Sequence, residues 1–119
     1  MNAPTINYIE PKLFKLLTRI KKEIVLPVSP DAVSGSRLVD LISDQIIESG
    51  NRLQLPIVRI ANKFYIYEGR DPILMPNRSL EKFLLMVCDH VGVDKTVMES
   101  IQWLDWLFGA MWRKCYMDK

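Results

Sequence analysis

The chain has 119 residues, 49% of them apolar and 25% charged, with a formal net charge of +2. That length suits one hydrophobic core and excludes two domains of ordinary size, and the composition excludes a disordered chain. So small a net charge excludes attraction to nucleic acid or to an anionic membrane by bulk electrostatics alone.

Residues 1–10 are expected to be extended or loose, with Pro11 placed as the first residue of a helix. From 11 to about 23, Leu13, Leu16, Leu17, Ile20 and Ile24 recur at three- and four-residue spacing and predict one apolar helix face. Lys12, Lys15, Arg19 and Lys22 form a basic stripe on a neighbouring face. Pro27 and Pro30 forbid its continuation. After a turn, Ser36 is expected to cap a second helix over 37–49. Leu38, Val39, Leu41, Ile42 and Ile46 would face inward, Asp40, Asp44 and Glu48 outward, and Gly50 would stop it.

The period then changes from about 3.6 to 2. Two β-rich runs, 52–60 and 63–67, are separated by Ala61-Asn62, which predicts a two-residue hairpin turn with Asn62 at positive φ. Pro56 cannot donate to a ladder, so the first strand starts after it or lies at an edge. Residues 73–76 can add a short third strand. Such a small sheet is marginal alone and must pack on the helices. Tyr65 and Tyr67 share one face of their strand and Phe64 and Ile66 the other, so one of these faces stays available.

Asn77 or Ser79 can cap a third helix over 80–90, which is apolar nearly all round and therefore central; Gly92 ends it. Asp94 would cap a last helix over 95–116, the antiparallel partner of the third. On that helix Val97, Ile101, Leu104, Phe108, Met111 and Cys115 form an inward seam with 4-3-4-3-4 spacing. All three tryptophans lie here, Trp112 beside the seam, Trp103 and Trp106 with Leu107 outside it. The apolar arc then covers about two-thirds of the circumference, against the roughly 100° one core face needs.

The only histidine, His90, stands two residues from Cys88, and on a helix their side chains diverge. Neither a zinc-ligand spacing, nor a phosphate-cradling loop, nor a nucleophile elbow occurs. The expectation is a chain with no enzymatic activity, no cofactor and no metal. Two cysteines, Cys88 and Cys115, in apolar contexts suit free thiols in a reducing compartment. With neither a signal peptide nor a membrane span, the expected location is the cytoplasm.

These readings predict an α+β domain spanning 1–119, with about four helices and a β-hairpin or three-stranded antiparallel sheet inserted between the second and third. Two functions follow. In the first, the chain is a protein-interaction module that binds a partner or a second copy through Trp103, Trp106, Leu107, Tyr65 and Tyr67. The second rests on element order, which resembles that of a winged-helix module. The resemblance implies a small nucleic-acid-binding regulator, here using Lys12, Lys15, Arg19 and Lys22 with Arg59 and Lys63. Charge opposes the usual docking mode, because residues 25–50 hold four acids against Arg37 alone.

Overall fold

The computed structural model describes residues 6–116 of the chain, and side chains from residue 11 onward. Five helices and one three-stranded antiparallel sheet run in the order α1 (Ile6–Glu23), a 3-10 turn (Pro30–Ala32), α2 (Gly35–Arg52), β1 (Ile57–Ile60), β2 (Lys63–Glu68), β3 (Asp71–Met75), α3 (Asn77–Val91), α4 (Lys95–Met98) and α5 (Ile101–Lys114). The fold is α+β, with its small sheet inserted between the second and third helices. The extended start expected for residues 1–10 is corrected over Ile6–Glu10, which belong to α1; residues 1–5 lie outside the described residues. Pro11 therefore sits inside the helix, where it withholds one i→i−4 hydrogen bond.

Helix α1 packs on α2 and α3, and α5 packs on the same two helices. The four long helices thus form a ring with α1 and α5 at opposite corners. The pairing of the third helix with the last is only half the arrangement, since α5 leans equally on α2. Leu13, Leu17 and Ile20 of α1, Ile42 and Ile46 of α2, Leu80, Phe83 and Leu84 of α3, and Leu107 and Met111 of α5 fill the interior.

Local chemistry sets the boundaries. Ser34, rather than Ser36, caps α2, its hydroxyl accepting from the Arg37 amide at 3.3 Å. Gly50 is buried within α2 and does not end it. The chain turns back so tightly that a Cβ at Gly50 would lie 2.8 Å from the Leu55 carbonyl oxygen, while the Leu55 amide donates to the Gly50 carbonyl at 2.7 Å. Only glycine admits that approach. At the other end of the core, Gly92 terminates α3 at φ 89°, and its amide returns to the Cys88 carbonyl.

Ile60 pairs with Lys63 in the β1–β2 register, so Ala61 and Asn62 form the two-residue turn. The positive φ, 56°, falls on Ala61 and not on Asn62. Strand β1 begins directly after Pro56, and Gly69-Arg70 closes the second hairpin between Glu68 and Asp71. Phe64 and Ile66 point to the helices and are fully buried. The opposite sheet face carries the cross-strand row Val58–Tyr65–Leu74 and the pair Tyr67–Pro72.

Candidate functional site: the Trp106 groove

The long final helix breaks at Glu99–Ser100 into α4 and α5. Ser100 becomes the residue before α5, and its carbonyl receives the Trp103 amide. In α5 the core face is Trp103, Leu107, Ala110 and Met111, at i, i+4, i+7 and i+8. Trp103 is 3% exposed and Leu107 is 0% exposed, which removes both from the partner-facing set and corrects the outward placement. Ile101, expected in the inward seam, is 81% exposed, and Val97 is likewise exposed.

Burial of Trp103 leaves no polar debt, because its indole N–H donates to the Cys88 sulfur at 3.4 Å. Burial pushes the Cys88 thiol up to about 11, against the smaller opposing effect of that bond. Cys115 is pushed up to about 12, again by burial, with Arg59 and Lys114 acting weakly the other way. Both cysteines are free, buried thiols held in the protonated form at neutral pH. His90 stands outside on α3 with Nε2 3.2 Å from the Ile24 carbonyl oxygen; a carbonyl only accepts, so Nε2 carries the proton. That contact ties α3 to the segment after α1 and leaves Cys88 and His90 in separate environments.

Trp106 is different. Its indole is 48% exposed and stands between two clefts. One, of about 400 Å³, lies between α2 and α5 and is walled by Ser36, Val39, Asp40, Asp105 and Arg113. The other, of about 410 Å³, is walled by Asp31, Val33, Leu38 and Val97, with the edge of Trp103 at its floor. A Cβ on Gly35 would stand 3.7 Å from the Trp106 ring, so the start of α2 supports one side of the indole. The clefts and the ring between them make one groove, apolar along its base and bearing three carboxylates, Asp31, Asp40 and Asp105, against the Arg113 guanidinium.

The groove's far wall is pinned by Lys114. Its ammonium donates to Asp40 Oδ1 at 3.1 Å, Asp44 Oδ1 at 3.0 Å and Ser43 Oγ at 2.7 Å, joining the end of α5 to α2. Ser43 is buried, and its own hydroxyl proton goes to the Val39 carbonyl at 2.8 Å. Among the described residues no buried side-chain polar atom is left without a partner.

The other proposed contact residues lie elsewhere. Tyr65 and Tyr67 are half-buried on the outer sheet face, as their alternation requires, but no sheet residue lines the groove. Of the basic set, Lys12, Lys15, Arg19 and Lys22 are exposed along α1, and Lys63 is exposed at the β1–β2 turn. Arg59 is spent inside the fold. Its guanidinium lies 4.1 Å from the Trp112 ring centre and 4.6 Å from that of Tyr116, and Nε donates to the Trp112 carbonyl at 2.8 Å. It satisfies a terminal carbonyl of α5 and fastens the sheet to that helix, which withdraws it from the nucleic-acid set. Sequence reasoning missed Asp40 and Arg113 as wall residues and Lys114 as the cation that ties Asp40 to α5; Asp40 was legible only as part of a solvated helix face.

Among the described residues no group of three or more His, Cys, Asp or Glu side chains could hold a metal ion, and no helix is long and apolar enough to cross a membrane. No family model matches the chain, and neither a curated protein nor a solved structure is significantly similar to it.

Proposed function

We propose that this protein is a non-enzymatic interaction module whose Trp106 groove receives a short segment of another protein, one that carries an apolar anchor beside basic side chains. The observation that carries the reading is the half-exposed indole set between two clefts of about 400 and 410 Å³. Tryptophan is the side chain most enriched at energetic centres of interfaces, and a preformed apolar cleft beside it lowers the ordering cost of a ligand. Asp31 and Asp105, the wall carboxylates outside the Lys114 cluster, favour a cationic flank on the occupant and repel an acidic one.

Selection of displayed random peptides on the wild-type chain, with removal of those that also bind a Trp106→Ala variant, tests this directly. The expected survivors combine one large apolar residue with Lys or Arg within a few positions, and lose affinity for Asp105→Lys. Peptides that bind Trp106→Ala as well as wild type would place recognition elsewhere. Light scattering on the same proteins distinguishes a second copy from a foreign segment: a concentration-dependent dimer that Trp106→Ala dissolves would make the occupant this chain itself.

A further inference from the structure

We infer that the outer face of α1 binds the phosphodiester backbone of a nucleic acid, without reading its bases. Lys12, Lys15, Arg19 and Lys22 lie on one exposed line of the helix at 3-4-3 spacing, a run of about 15 Å at the helical rise. The first three, with Leu16 and Glu68 at the end of β2, line a groove of about 510 Å³ between α1 and the sheet. Glu68 is the anion in this groove, and it pairs with Lys12 at 3.1 Å. Within the described residues no carboxylate lies within 4.0 Å of the Lys15, Arg19 or Lys22 cation.

Such a stripe has a cost. Like charges three and four residues apart destabilise a helix, and among the described residues the Lys12–Glu68 pair is the single ion pair that offsets the repulsion. The feature is explained by something outside the chain that supplies the missing negative charge. A protein partner would need exposed apolar side chains at the centre of the contact. Among the residues whose side chains are described, the exposed large apolar residues Val28, Leu74, Val97, Ile101, Trp106 and Tyr116 lie away from this stripe, and Val25 follows the end of α1. The same absence among the described side chains disfavours insertion into a lipid surface, which requires an apolar face next to the cations. What fits is a linear polyanion whose charges lie at its surface. Base reading does not follow, because the helix that precedes the sheet, α2, presents Asp40, Asp44 and Glu48.

Fluorescence polarisation with labelled 20-mers (duplex DNA, duplex RNA and their single strands) across a salt series tests the inference and distinguishes the strand types. The expected result is binding at low salt that is indifferent to base sequence. On duplex DNA the slope of log affinity against log salt should be roughly −2.7 to −3.6, for three to four neutralised phosphates. Lys15→Gln/Arg19→Gln/Lys22→Gln should reduce the magnitude of that slope by about 2.7. A matched triple, Lys63→Gln/Arg78→Gln/Lys95→Gln, removes the same charge from exposed positions off this helix and should leave the slope unchanged. Glu68→Gln, which frees Lys12, should tighten binding. No polarisation change at low salt, or equal losses in the two triples, would overturn the inference. Circular dichroism confirms folding of each triple; if the α1 triple fails to fold, the Glu68→Gln gain decides, and its absence counts against the assignment.

Discussion

Trp103 and Trp106 are three residues apart on one helix and meet opposite fates. The first lies inside the helix ring with its N–H satisfied by a buried sulfur; the second stands at the surface between two clefts. Both are large, apolar and in the same local sequence, so composition cannot separate them. Their difference is set by phase: 300° of rotation carries the chain from the face shared with α2 and α3 to the edge of that face. The two indoles therefore differ in burial, the first inside the core and the second half-exposed, and each can be perturbed alone.

The comparison breaks most readily at the interior indole. Trp103→Ala should cost about 3–5 kcal/mol, the range for deleting a buried tryptophan, and should be read as a loss of denaturant midpoint with an unchanged m-value. A smaller loss would mean that Trp103 is less enclosed than its 3% exposure indicates.

Next comes the thiol that accepts its proton. The folded-state value of Cys88, about 11, lies above the ordinary 9.0, so its contribution is complete below pH 9 and declines as pH rises toward 11. The unfolded chain ionises first and gains from alkali what the folded chain cannot. The expected loss is on the order of 2 kcal/mol by pH 11. Thermal denaturation of wild type against Cys88→Ala between pH 8 and 11 checks it: the gap between the two should narrow or reverse with rising pH.

At the groove wall the effect should be smaller. Lys114→Met deprives Asp40, Asp44 and Ser43 of a shared donor and should destabilise by about 1 kcal/mol, with a further loss of any groove-bound peptide as the wall loosens. Urea denaturation and peptide titration on one preparation measure both. Smallest of all is the surface indole. Trp106→Ala should shift stability by less than about 0.5 kcal/mol while removing peptide binding, and a shift as large as that of Trp103→Ala would erase the distinction between them.

Much of this architecture was legible beforehand because strong local signals coincide with tertiary demand. Pro56, the Ala61-Asn62 pair and the alternation of Phe64 and Ile66 with Tyr65 and Tyr67 place the sheet, and Gly92 ends α3 as a left-handed cap should. The groove was not legible, for two physical reasons. Glu99–Ser100 contains neither proline nor glycine, so α4 and α5 read as one helix. The apolar arc of two-thirds of the circumference belongs to α5 itself, since Ile101 to Cys115 all follow the break and only Val97 precedes it. Ser100, a residue type suited to a helix start, was the local signal available. The second reason is that α5 packs on two helices and also meets the sheet, where Phe108 and Trp112 lie edge-on to Phe64. A wide apolar surface then reflects several internal neighbours before it reflects any external one. Gly50 was misread for a related cause: a glycine demanded by a neighbouring carbonyl looks, in one dimension, like a glycine that ends a helix.

The segment just past α5 has an effect on the sheet's margins. The Arg59 amide donates to the Cys115 carbonyl at 2.6 Å, and Tyr116 forms a parallel bridge to Arg59, so the outer border of β1 is already occupied. The remaining border, β3, contains Pro72 flanked by Asp71, a residue without an amide proton beside one that resists desolvation. A small sheet with one border stitched shut and the other blunted makes a poor template for foreign strands. The molecule's β-structure therefore offers little purchase for fibrous growth.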